Sequence, residues 1–230
     1  MLNRRRMMLA GNGSQIGEDL PSGYRKCEYL QGRGKGGYIV VPEIDITNKP
    51  SVMLEVEYLD YEYDTNPFGS VLNNVRFEHG IGWDGKAFTY NFGNGYGSLG
   101  DGSYNAQMAD GTVVSAKSIA NQRLVIEYKN ESIYLNGVEQ TIAKKSKYAN
   151  GHFGVAYDVY IFGTNRGTEL RYFKGKIYRF LVEGQINLIP ALDQNGVPCM
   201  YDKISHIPFY NAGIGEFGYK LMDGTYVAPV

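Results

Sequence analysis

Glu43 and Asp45 set two carboxylates with one residue between them, a pattern that could serve acid/base or nucleophilic catalysis. Carboxylates two apart on an extended strand point to one face. A retaining glycosidase uses two carboxyl groups about 5–5.5 Å apart, one as nucleophile and one as acid/base. The surroundings argue against that use here. Pro42 stands immediately before the pair and marks a strand end, and Thr47 and Asn48 downstream carry no acid. Other reactive arrangements are missing as well. His79, His152 and His206 have no ligand or triad spacing, and no serine sits in a Gly-x-Ser-x-Gly elbow. Gly32 to Gly37 reads Gly-Arg-Gly-Lys-Gly-Gly, without the spacing or the Lys-Ser/Thr end of a phosphate loop and with no helix pattern after it. No catalytic residue is expected, and the chain reads as a protein that is not an enzyme.

Binding chemistry is better represented. From Gly93 to Gly111 the chain is rich in Gly, Asn, Ser and Asp, a long loop of the kind that often carries function. Tyr96 and Tyr104 would offer stacking faces, while Asn94, Asp101 and Asn105 would offer hydrogen bonds. Trp83, the only tryptophan, stands just before the Asp84-Gly85 turn. Together these six residues form the candidate ligand site, with the chemistry that sugar recognition uses. The carboxylates and carbonyls of the same loop could take Ca²⁺, but their spacing is not that of an EF-hand, and no cofactor is expected.

These residues need a scaffold, and the composition says of what kind. Of 230 residues, 30 are Gly and 20 Tyr, and 43% are hydrophobic. Such a chain can bury a core, and it favours pleated sheets with tight turns over helices. A net charge of −1 supplies no attraction to nucleic acid or to an anionic membrane surface, and no apolar run approaches the roughly 20 residues that span a bilayer. Met7 to Ala10 is too short for the apolar region of a signal peptide, so export by this segment is not expected. Cys27 and Cys199 fit no metal spacing; free buried thiols and a disulfide both remain open.

In order, residues 1–19 form a basic arm without a durable period, and residues 20–230 form one domain. The arm is either a loosely ordered terminus or an anchor that docks on a neighbouring subunit through Arg4, Arg5, Arg6 and the methionines beside them. Within the domain, Val52, Leu54, Val56 and Tyr58 alternate with polar residues over Ser51–Asp60. Leu124, Ile126 and Tyr128 do the same, and the Asn136-Gly137 dipeptide predicts a type I′ turn in a three-stranded meander that runs on through Val138 to Ile142. Further runs occur near Tyr38–Val41, Val75–His79, Ala87–Phe92, Phe153–Phe162 and Ile177–Val182. The apolar segment around Ile186–Ile189 is expected to stop at Pro190. About a dozen short strands at 8–12-residue spacing predict an all-β sandwich or barrel.

Two stretches also carry a resemblance. Leu20-Pro21-Ser22-Gly23-Tyr24, Glu28-Tyr29-Leu30 and Gly37-Tyr38-Ile39 resemble the opening of a family of phage and prophage structural proteins. Ile189-Pro190-Ala191, Tyr201-Asp202 and Phe209-Tyr210-Asn211-Ala212-Gly213 resemble its close, with Ile133–Gly137 and Lys176–Tyr178 matching between them. The departures are Gly32-Arg33-Gly34, where the family has Ser-Thr-Gly, and a shortened Phe-Tyr-Asn-Ala. The resemblance implies a laminin-G/concanavalin-like jelly roll: two antiparallel sheets, preceded here by the arm. It also implies a virion component of capsid, tail or fibre, assembled in the bacterial cytoplasm and present in many copies. The partners implied are other virion proteins and host-surface glycans, with Arg4, Arg5 and Arg6 as the anchor. Glu43–Thr47 separately resembles a truncated Glu-x-Asp-x-x-Glu signature of laminarinase-like glycosidases, with the last acid missing.

Overall fold

The computed structural model describes residues 20–45, 50–59, 66–72, 75–80, 89–94, 105–107, 120–129, 132–144, 156–165, 167 and 169–230. These residues form strands and turns and no helix. The first half of the chain contributes β1 (Arg25–Arg33), β2 (Ile39–Asp45), β3 (Val52–Tyr58), β4 (Phe68–Leu72), β5 (Val75–Gly80), β6 (Thr89–Asn94) and β7 (Asn105–Gln107). Next come β8 (Arg123–Lys129), β9 (Ser132–Leu135), β10 (Val138–Glu139), β11 (Thr141–Lys144), β12 (Ala156–Ile161), β13 (Gly163–Asn165) and β14 (Leu170–Tyr172). The last third adds β15 (Lys174–Val182), β16 (Ile186–Leu192), β17 (Pro198–Asp202), β18 (Pro208–Tyr210), β19 (Gly218–Leu221) and β20 (Tyr226–Val227).

Two large sheets, rich in antiparallel pairs, pack face to face. The larger runs β10-β9-β8-β3-β15-β1-β16-β17-β18, with β19 on β1 and β20 on β19. The smaller runs β14-β13-β4-β12-β2, with β5 on β4 and β6 on β5. Strand β3 shows why the sheets meet: its burial alternates without a break, with Val52, Leu54, Val56 and Tyr58 inward. They join Ile177 and Phe180 of β15 and Phe68 and Phe77 of the opposite sheet in one core. The Phe68 and Phe180 rings touch across the layers with centroids 4.8 Å apart. The fold is therefore all-β, a two-layer sandwich.

Where the sequence pattern was cleanest, the strands fall as expected. Asn136 (φ 50°) and Gly137 (φ 79°) both take the left-handed conformation that a type I′ turn demands. The meander's third strand departs from expectation. It is interrupted at Gln140, and β11 leaves to pair with β7. Pro190 does not end a strand either: β16 continues to Leu192 with Pro190 paired to Met200. On its other edge β16 pairs with β15 up to Leu188 and with β1 from Ala191. Pro190 falls in the interval between those partners, where no ladder amide is required.

At that interval the larger sheet forks. The registers of β1 and β15 slip around Glu28 and Tyr178 respectively. Each slip places two consecutive side chains on the outer face. There the Tyr29 and Tyr178 rings meet edge to face at 5.4 Å. Arg123 lies over Tyr178 and Lys176 over Tyr29. Glu57 accepts hydrogen bonds from both Lys176 and the Tyr178 hydroxyl at 2.8 Å. Burial, then this hydrogen bond, pushes the Tyr178 phenol well above its ordinary range. Beyond the fork, one branch continues through β16–β18 and the other through β19–β20.

The registers also decide between the two readings of the cysteines. Lys26 pairs with Ala191 and Ala191 with Cys199, so Cys27 and Cys199 sit two strands apart. Cys199 packs with Ile189 and Ala191, whereas Cys27 packs with Leu192 and Leu221 in a separate cluster. Neighbouring residues of a strand face opposite ways, so the two thiols point to opposite sides and are free. Burial pushes both up to about 12.

Candidate functional site

A polar and aromatic site lies on the smaller sheet, on the face turned away from the core. Phe68 and Phe77 point inward, so Gly69 and Glu78, their strand neighbours, point outward and pair across β4 and β5. Glu78 is 1% exposed despite facing away from the core. A buried carboxylate requires partners, and Asn66 supplies one, donating from Nδ2 to Oε2 at 3.2 Å. Thr164, also buried, reaches the same spot from β13: its side chain and that of Glu78 both close over Gly69. Its hydroxyl donates to the Phe68 carbonyl at 3.4 Å.

Phe162 makes this convergence possible. Its left-handed φ of 66° turns the chain between β12 and β13. Gly69 is thereby flanked by Tyr160 of β12 as well as by Thr164. Arg171 pairs with Thr164 from β14, its side chain 20% exposed and its Nη2 3.5 Å from Glu169. Half-buried tyrosines extend the row: the Tyr38 ring lies 5.4 Å from Tyr160 and 6.4 Å from Tyr172. One sheet face thus sets a carboxylate, an amide and a hydroxyl beside the Tyr38 and Tyr160 rings. Glu78, Asn66 and Thr164 are buried and so shape the face from beneath, while the half-buried Tyr38 and Tyr160 rings offer a ligand surfaces to stack against.

Of the six ligand-site residues expected from the sequence, two are among the described residues. Asn94 ends β6, which pairs with β5, and Asn105 begins β7. Trp83, Tyr96, Asp101 and Tyr104 lie outside the described residues, as do Arg4, Arg5 and Arg6. Of the Gly93–Gly111 loop considered for Ca²⁺, the described parts are strand, Gly93 and Asn94 in β6 and Asn105–Gln107 in β7, because their backbones pair with β5 and β11. Among the described residues, no three His, Cys, Asp or Glu side chains gather as a metal site. Glu78, Asn66, Thr164 and Tyr160 were missed by sequence reasoning. The available signal was Glu78 itself, an acid alternating with Phe77 in a strand pattern.

The carboxylate pair turns out differently from its expected setting. Pro42 does not end β2; Pro42 and Glu43 together form a bulge opposite Asp158, with Glu43 at φ 58°. Glu43 and Asp45 are exposed on either side of buried Ile44. The Gln185 amide clamps the Asp45 backbone, accepting from its N–H at 2.7 Å and donating to its carbonyl at 2.6 Å. The glycine loop once weighed as a phosphate loop is also engaged by backbone. Gly36 and Tyr38 accept hydrogen bonds from the Ile214 and Ala212 amides, each at 2.8 Å.

The chain matches no protein-family model, no curated protein and no solved structure.

Proposed function

We propose that the chain is a non-enzymatic structural protein of a phage virion, a jelly-roll module that decorates a capsid or tail and works by binding. Its ligand is a host-surface glycan or a neighbouring virion protein, met by the outer face of the smaller sheet. The observation that carries the binding reading is the half-buried pair of Tyr38 and Tyr160 rings on a face that is not the core, seated beside the buried Asn66, Glu78 and Thr164. The virion setting rests on the sequence resemblance of the two ends of the domain. Shallow stacking and hydrogen bonding give weak single contacts, so binding depends on many copies presented together.

A glycan array probed with the multivalently displayed protein tests the site. Wild type is expected to retain a defined set of glycans, and Tyr160→Ala and Tyr38→Ala each to weaken them at least tenfold, about 1.4 kcal/mol. Thermal melts of both variants separate lost binding from lost folding. Retention unchanged by both substitutions would move the site elsewhere. No retained glycan at all would favour the purely architectural reading, which the exposed apolar surface described next also favours.

A further inference from the structure

Of the ten large hydrophobic residues that stand exposed among the described residues, nine lie between Val197 and Val230. The branch tips of the forked sheet carry them, and between the branches runs a groove of about 400 Å³. Val197 and Pro198 lie in one wall, and Phe217, Tyr219, Val227 and Val230 supply most of the remaining apolar lining. Val197 is 44% exposed, Val227 40% and Val230 67%. Apolar surface concentrated in this way marks an interaction site. Beside it β20 ends its branch, paired among the described residues to β19 alone, so an extended segment can add to its outer edge. Glu216, exposed, supplies a negative charge at the rim.

The chain itself contains a segment of matching chemistry. Met7-Met8-Leu9-Ala10 is apolar, and Arg4-Arg5-Arg6 precedes it. Between Ala10 and Leu20 lie nine residues, Gly11 to Asp19, which span about 30 Å when extended. Leu20 packs on the Ile189, Ala191, Cys199 and Tyr201 side of the β16–β17 hairpin. Pro198, in the groove wall, alternates with Cys199 and faces the other side of that hairpin. An arm returning to its own groove would have to reverse around the hairpin tip, whereas an arm from a neighbour would not.

We propose that the groove between the branches receives the Met7–Ala10 segment of a neighbouring copy, with Arg4–Arg6 against Glu216. The inference rests on the multi-copy reading above and names where one copy holds the next. Solution mass of the full chain tests it, by light scattering at rising concentration. Wild type is expected to form oligomers. Met8→Asp in the arm and Val227→Asp in the groove should each give monomers, with Glu216→Arg weakening association at low salt. An equimolar mixture of the first two variants should recover a dimer, because one retains a working groove and the other a working arm. Val227 is exposed, and circular dichroism checks that each variant is folded. Wild-type monomers up to roughly 100 μM, variants that assemble like wild type, or a mixture that stays monomeric would each overturn the proposal. If the chain is nonetheless found in particles, only the groove assignment fails; absence from particles fails the function as well.

Discussion

Gly213→Ala is expected to destabilise the domain by about 3 kcal/mol. Gly213 lies in a clasp that ties the end of β18 to the loop before β2, and so joins the two sheets. Asn211 makes it: its Oδ1 accepts from the Tyr38 amide at 3.1 Å and from the Gly213 amide at 3.0 Å, while its Nδ2 donates to the Gly215 carbonyl. Backbone packs directly on backbone, because a Cβ on Gly213 would run into the Gly36 carbonyl and, at 3.0 Å, the Tyr38 ring. Neither can yield cheaply. The Gly36 carbonyl is held by the Ile214 amide, and Gly36 is itself at φ 73°. The methyl group therefore forces the clasp open and loses hydrogen bonds across it. Gly196→Ala is the control. Gly196 has φ 80° but open space around it, so only the conformational penalty of about 1 kcal/mol applies. Urea unfolding reads both, and equal shifts in midpoint would refute the clasp.

Asp202→Ala is expected to be as damaging, about 3 kcal/mol, for a different reason. The side chain is fully buried at the end of β17 and organises the turn into β18. Its Oδ1 accepts from the Asn187 amide at 2.7 Å and the Ile204 amide at 3.1 Å. Its Oδ2 accepts from the Ser205 amide at 2.9 Å and the Ser205 hydroxyl at 2.6 Å. Alanine would leave these donors without their acceptor. Burial alone would raise the carboxyl pKa, but the Ser205 hydroxyl and the three amides outweigh it and hold the group below its ordinary value. A depressed folded pKa means that the stabilisation is complete above the unfolded value, about 3.9, and is lost as pH falls through the folded value. Stability measured from pH 7 down to pH 2 should therefore fall more steeply for wild type than for Asp202→Asn, which cannot titrate. Parallel profiles would show that this carboxylate is not the acid-sensitive group.

Both residues belong to the stretches whose resemblance suggested a family, and their role there is structural. Tyr201-Asp202 and Asn211-Ala212-Gly213 carry turn and clasp chemistry, which is a physical reason for those residue types to occur together. Strands with one buried face were legible because alternation is a direct consequence of the pleat: β3 and β8 could be read residue by residue. What alternation cannot show is a slip. The bulges at Pro42-Glu43, Glu28 and Tyr178 change which face follows, and each depends on a partner strand far away in the chain. Pro190 was misread for the same reason, since only the fork explains why β16 tolerates it. The proposed binding face was hardest to read. Glu78, Gly69, Thr164 and Tyr160 come from four strands, and only the left-handed turn at Phe162 brings the last two to the same glycine. The loop with Tyr96 and Asp101 had the composition of a site, whereas Glu78 was a single acid in a strand pattern.

The proposed virion role is tested by the protein content of purified phage particles from the host strain that encodes this chain. Mass spectrometry of banded particles, with antibody labelling under the electron microscope, reads presence, copy number and position together. A virion component is predicted to co-sediment with the particles in many copies and to be labelled at a defined place on capsid or tail. A chain found only in the soluble fraction, with particles free of it, would contradict the account.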